Sequence, residues 1–136
     1  MFKKMKILFT GHRGFLGREL IPQLSKEFDI YSFEGDLRNF NQLSDFVSAK
    51  QIERVIHAAV RGGRRFKVDD HSVLVENLSS SINTLRLGLP MVAFCSGAIY
   101  GRQRNVLNAK EEKAGSLFPE DFYGQSKFLF RQLIDG

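Results

Sequence analysis

The stretch TGHRGFLG, Thr10 to Gly17, follows the apolar run KILF and precedes RELIPQLSKEF, whose apolar residues recur at helical spacing. Three glycines in eight residues at a strand–turn–helix junction leave the main chain bare where the free N–H groups and positive dipole end of a helix favour an anion. Gly11 suits the tight turn, Gly14 lets a pyrophosphate approach the chain, and Gly17 lets the helix pack close to the sheet. Glycines also serve ordinary turns, so the weight of the pattern lies in its setting.

Working outward, the chain alternates short apolar runs with helical periodicity, the mark of βαβ units and a parallel sheet. Ile7, Leu8 and Phe9 give a first strand, and Leu16, Leu20, Leu24 and Phe28 the stripe of a helix in which Pro22 is expected to introduce a bend. DIYSF reads as a second strand. NFNQLSDFVSAKQ reads as a helix capped by Asn39 or Asn41, with Leu43, Phe46 and Val47 on one face. RVIHAAV has the continuous apolar character of a strand buried on both sides. Leu74, Leu78, Ile82 and Leu85 restore helical spacing from Ser72, and Gly88 with Pro90 ends that helix. MVAFCS is a fourth strand, GAIYGRQRNVLNAKEEKAGSLFPED a long loop, and FYGQSKFLFRQLI a helix whose Phe122, Leu129, Phe130, Leu133 and Ile134 are expected to dock on the sheet. The expected fold class is α/β, a Rossmann-like doubly wound parallel sheet in one domain over residues 1–136.

Acidic residues lie near the end of the second strand, about 20 residues past the glycines, where a carboxylate can bind an adenosine ribose. Glu34 is placed for that contact, or is a solvated turn residue. GDLRN brings in Asp36, Leu37 and Arg38, with Asp36 a candidate acceptor for an adenine amino group. Arg13 and Arg38 would welcome a 2′-phosphate, so NADP is favoured over NAD.

The 136 residues, 43% apolar, suffice for a packed core, and no window approaches the length of a membrane span. Cys95, the single cysteine, cannot form an internal disulfide, which fits a reducing cytoplasm, and its place inside MVAFC suggests a small core residue. The net charge is +5, with cations bunched at Lys3, Lys4 and Lys6, at Arg61, Arg64, Arg65 and Lys67, and at Arg102 and Arg104. Such a field attracts phosphates on a nucleotide or on nucleic acid, but the nucleic-acid reading rests on charge alone and ranks last. His12, His57 and His71 have no ligand-like spacing, so no metal is expected.

Tyr123 and Lys127, four apart in YGQSK, would share a helix face. A nearby ammonium favours a phenolate, which makes Tyr123 a candidate general acid/base. Ser96, expected at the C-terminal end of the fourth strand, is where a ligand-facing hydroxyl belongs in such a sheet. In this order, TGHRGFLG, GDLRN, HAA at His57–Ala59, Asn77, SGAIYG and YGQSK resemble the extended short-chain dehydrogenases/reductases, in particular the NAD-dependent epimerase/dehydratase family that acts on nucleotide sugars. The resemblance implies a catalytic set of Ser96, Tyr123 and Lys127, with Asn77 beside it and Lys127 also on the nicotinamide ribose. It places Gly11, Arg13, Gly14, Phe15, Leu16, Asp36 and the Ala58–Ala59 backbone around the cofactor.

Within the family the segments look most like its GDP-L-fucose synthase branch, which carries an acid/base cysteine where this chain has Ala98. Family members run on past the Tyr-x-x-x-Lys helix into further strands and a sugar-binding portion. The expectation is therefore the cofactor-binding part of a nucleotide-sugar epimerase, dehydratase or reductase, or else a non-catalytic dinucleotide-binding module. An exposed sheet edge would favour self-association.

Overall fold

A computed structural model describes residues 2–101, 110–113 and 117–136. The Arg102 and Arg104 cluster lies outside the described residues. Four strands, β1 (Lys6–Thr10), β2 (Asp29–Tyr31), β3 (Arg54–His57) and β4 (Met91–Ala93), form one parallel sheet in the order β2-β1-β3-β4. Helices α1 (Phe15–Leu24), α2 (Phe40–Lys50), α3 (His71–Arg86) and α4 (Phe122–Asp135) alternate with them, and 3-10 turns at Gly97–Tyr100 and Glu111–Lys113 lie before α4. The fold is α/β and Rossmann-like.

Two compact units make up the chain: residues 1–60 with 80–94, and residues 61–79 with 95–136. The first holds the whole sheet. Leu8 of β1 and Val55 of β3 are partners in register and point to the same face, as the period of two requires. There they form a core with Leu43 of α2 and Ile52, edged by Phe46, Val47 and Leu37. Ile7 and Phe9, of the other parity, are buried on the opposite face. Asn39 starts α2 by accepting the Gln42 N–H at 3.2 Å, which settles the choice of cap. Pro22 falls inside α1, on its exposed side.

In the second unit, Asp121 caps α4 by accepting the Gly124 N–H at 2.9 Å. Gly124 itself is buried, and a Cβ there would stand 2.7 Å from the Ala98 carbonyl oxygen, so the helix head meets the 3-10 turn backbone to backbone.

Several expectations are corrected. β4 ends at Ala93, so Ser96 opens the Gly97–Tyr100 turn instead of ending a strand. Cys95 is exposed and is no core residue. Along α3 the most buried positions are Val73, Asn77, Ser81 and Thr84, while Ile82 of the apolar stripe is exposed. In α4 the buried set is Gly124, Ser126, Lys127 and Phe130, whereas Leu133 and Ile134 face solvent. Both helices spend their buried faces on polar side chains that bond to specific partners, an outcome hydrophobic periodicity does not register.

Candidate functional site

In the first unit β1 runs into the glycine turn. Gly11 has φ +80°, the left-handed region, and a Cβ there would lie 2.7 Å from the Ala59 nitrogen and 2.8 Å from the Ala58 carbonyl carbon. Only glycine lets the two strand ends approach so closely. Gly14 is the N-cap of α1, without a side-chain cap, and its N–H donates to the Gly11 carbonyl at 3.0 Å. It is exposed, and the nearest atom to a Cβ there would be Gly11 O at 3.3 Å, so the helix head is open on its outer side. A Cβ at Gly17 would collide with the backbone of His12, 2.4 Å from its carbonyl oxygen, so glycine is needed for the turn to close on the helix. Phe15 is exposed and Leu16 half-buried at the head of α1.

Beneath the turn lies a buried polar chain that the motifs do not announce. Thr10 Oγ1 accepts the Ala58 and Ala59 N–H groups at 3.2 Å each and stands 2.7 Å from His57 Nδ1. On the other side of the ring, His57 Nε2 stands 3.1 Å from Ser81 Oγ. His57 is 1% exposed. Its ring braces the Ala58–Ala59 backbone from below, and the sequence hint was only that threonine and histidine fall at the ends of neighbouring strands.

Three residues past β2, Glu34 accepts a hydrogen bond from Arg13 Nη2 of the glycine turn at 2.5 Å, and His12 Nε2 lies 3.1 Å from its other oxygen. Asp36 accepts the Arg38 backbone N–H at 2.8 Å and the Arg38 guanidinium at 2.7 and 3.0 Å. The Arg38 side-chain hydrogen bonds hold the Asp36 carboxyl below the ordinary aspartate range. Leu37 is half-buried against the core. Asn83 Nδ2 donates to the carbonyls of Leu37 and Arg38 at 3.0 and 2.9 Å. Arg86 lies 3.8 Å over the Phe40 ring and donates to Asn83. Asp36, Arg38, Asn39, Phe40 and Arg86 line a cleft of about 610 Å³. Asn83 and Arg86 escaped the sequence reading because they come from a helix more than 40 residues away.

In the second unit, Ser96 Oγ accepts the Ala98 N–H at 3.1 Å. Tyr123 and Lys127 both belong to α4. Lys127 is 7% exposed, and burial pushes its pKa below the ordinary lysine range, with Cys95 pulling weakly the other way. Asn77 Oδ1 accepts the Arg61 N–H and its Nδ2 donates to the Arg61 carbonyl, both at 2.8 Å; Nδ2 also reaches Ser126 Oγ at 3.3 Å. Ser126 in turn donates to the Tyr123 carbonyl at 2.7 Å. Asn77 thus joins the start of the RGGRRFK loop to α4. Ser126, inside the Tyr-x-x-x-Lys spacing, is a further member of the site that the motif passes over. Among the described residues no cluster of potential metal ligands occurs, and no helix is long and apolar enough to cross a membrane.

A parallel sheet whose first strand enters a bare glycine turn at a helix head defines the dinucleotide-binding class of α/β proteins. Residues 7–135 match the model of the NAD dependent epimerase/dehydratase family, and the chain belongs to that family. No curated protein matches it. Among solved structures it is similar to a GDP-mannoheptose C4 reductase from Campylobacter jejuni with NADP bound, at TM-score 0.83 and 24% identity over 98% of this chain and 46% of that one. A UDP-glucose 4-epimerase from Thermus thermophilus in complex with NAD gives TM-score 0.80 and 24% identity over 96% of this chain and 50% of that one. A dTDP-4-dehydrorhamnose reductase from Bacillus anthracis in complex with NADP gives TM-score 0.70 and 20% identity, over 99% and 50%. The chain spans about half the length of these structures, and at such identities the likeness is one of fold.

Proposed function

We propose that the protein is the nicotinamide-dinucleotide-binding part of an enzyme that oxidises, reduces, epimerises or dehydrates a nucleotide sugar. The observation that carries this reading is the open helix head at Gly14, pinned beside the Ala58–Ala59 backbone by a glycine that nothing larger can replace. Backbone N–H groups at that head suit a pyrophosphate, and the Gly14 position fits one because no side chain stands there. Glu34 and Arg13 would meet the adenosine ribose, with Arg13 taking a 2′-phosphate where present, and Asp36 would meet the adenine. NADP is the favoured cofactor. When bound, the nicotinamide supplies or accepts hydride.

The chain's own part is orientation and proton transfer. Tyr123 is the group that moves the proton at the sugar oxygen, Ser96 holds that oxygen, and Lys127 keeps a cation near the phenol and binds the nicotinamide ribose. Asn77 acts here through the backbone it ties. Ala98 offers no second acid/base, so epimerisation through a cysteine at that position is outside this chain's means. The work is expected in the cytoplasm, with a second copy of the chain as a further partner.

Calorimetric titration of the folded protein with NADPH and NADH tests the cofactor, and turnover of a panel of nucleotide sugars tests the chemistry. NADPH binding, with turnover lost in Tyr123→Phe, is the expected result. Binding without turnover, in wild type and variant alike, reduces the proposal to a dinucleotide-binding module, and failure of both dinucleotides to bind ends it.

A further inference from the structure

The loop from Arg61 to Asp70 carries four cations, yet it is not built as a phosphate clamp. Its cavity, about 180 Å³, is lined by Arg61, Arg64 and Lys67 but equally by Asp69 and Asp70. Arg61 is held by Glu76 at 2.7 Å, and Asp70 binds the backbone N–H and hydroxyl of Ser72. The carboxylates offset much of the positive field. What the loop does have is two consecutive glycines in the left-handed region, Gly62 at φ +83° and Gly63 at φ +74°.

Those glycines meet two particular side chains. A Cβ at Gly63 would lie 2.8 Å from both Cε2 and Cζ of Tyr123, the ring carbons at and beside the hydroxyl-bearing position. The main chain therefore lies directly against the phenol, with no side chain between. A Cβ at Gly62 would lie 2.8 Å from Asp69 Oδ1, and Asp69 Oδ2 accepts the Gly63 N–H at 2.8 Å. Asp69 thus closes the loop on itself across six residues and fixes the strand of backbone that touches the ring. The loop's entry is fixed separately by Asn77, which grips both polar groups of the Arg61 backbone and, through Ser126, the Tyr123 carbonyl.

We propose that Gly63 and Asp69 are positioning residues for Tyr123: Asp69 holds the Gly63 backbone as a fixed stop against the phenol ring, so that the proton-transferring oxygen has one place to be. The inference rests on the assignment of Tyr123 as the proton-transfer group. Its geometric content, however, stands apart from turnover and is tested without cofactor. A carboxamide keeps an oxygen acceptor for the Gly63 N–H, so Asp69→Asn should preserve the stop, whereas Asp69→Ala removes it. Gly63→Ala inserts a methyl where the ring lies and adds left-handed strain.

The test is nitration of the folded full chain by tetranitromethane, followed residue by residue by peptide mass mapping, with Tyr31 and Tyr100 as internal references. Asp69→Ala and Gly63→Ala are expected to change the Tyr123 rate severalfold relative to the references, and Asp69→Asn to restore the wild-type ratio. An unchanged Tyr123 rate in both variants, with circular dichroism as in wild type, overturns the proposal. Should the variants not fold, the wild-type protein decides: a nuclear Overhauser contact between the Gly63 α-protons and the Tyr123 ε-protons supports the stop, and its absence rejects it. Failure of dinucleotide binding would leave these results standing, so the two readings fail separately.

Discussion

Thr10 and His57 end neighbouring strands in register, and their side chains meet at 2.7 Å beneath the glycine turn. The threonine oxygen also serves the half-buried Ala58 and Ala59 N–H groups, so three polar partners converge on one hydroxyl. Thr10→Val keeps the shape and takes the hydroxyl from the Ala59 N–H and from His57 Nδ1, while the Ala58 N–H retains the Thr10 carbonyl at 3.2 Å. Urea unfolding is expected to show a loss of about 1–3 kcal/mol, the cost of leaving buried polar groups unpaired. Thr10→Ser should recover most of it; a Val variant as stable as wild type would mean the network contributes nothing.

The two outer-turn glycines should separate stability from binding. Gly11→Ala forces a Cβ into the Ala58–Ala59 backbone at φ +80° and is expected to destabilise by at least about 1–3 kcal/mol. Gly14→Ala has an ordinary φ of −77°, but alanine is a poorer N-cap and its Cβ would meet Gly11 O at 3.3 Å, so a loss of about 1 kcal/mol is expected. Its methyl nevertheless stands where the proposed pyrophosphate would approach, so NADPH affinity in a calorimetric titration should fall by more than tenfold. Wild-type affinity in that variant would move the anion site elsewhere.

Arg13 and Glu34 form an exposed ion pair, whose contribution to stability is expected to lie within about 1 kcal/mol. Its consequence is selectivity. Arg13→Ala is expected to weaken NADPH more than NADH, and Glu34→Gln to do the reverse by releasing the guanidinium for a 2′-phosphate and taking a carboxylate from the ribose. Parallel titrations with both dinucleotides read the ratio, which should move in opposite directions in the two variants.

Lys127 carries its charge into a buried place, and burial depresses its pKa. Between that lowered value and the ordinary lysine value the unfolded chain binds more protons than the folded one. Stability from this group is therefore full above the ordinary lysine pKa and is lost as pH falls through the folded value. At neutral pH the burial penalty is present, so wild type should gain stability relative to Lys127→Met as pH rises through the window between the lowered and the ordinary lysine value. Thermal melts of the two proteins read that difference, and a wild type that loses ground to the variant there would contradict the assignment.

The order of elements was legible in the residues because it follows from local patterns. KILF, RVIH and MVA are apolar runs bounded by turns, the stripe around Leu43 has helical period, and Asn39 is a cap in its own right. Boundaries were less so: RVIHAAV and MVAFCS each overran the strand, since apolar residues continue past the point where the ladder hydrogen bonds stop. The glycines of TGHRGFLG and the Tyr123–Lys127 spacing were visible because each is a short-range constraint, set by what fits within a turn or on one helix face.

Sequence alone thus determined the sheet, the bare turn and the placing of Tyr123 and Lys127 on one helix. Only tertiary structure decided that Asn77, Ser81, Asn83 and Ser126 occupy buried helix faces, that Arg13 donates to Glu34, and that Gly63 lies on the Tyr123 ring. The physical reason is that a polar side chain is worth burying only when a partner meets it. Apart from the Tyr123 carbonyl that Ser126 meets within its own helix, the partners named here stand at least 16 residues away along the chain, where no local period can reveal them.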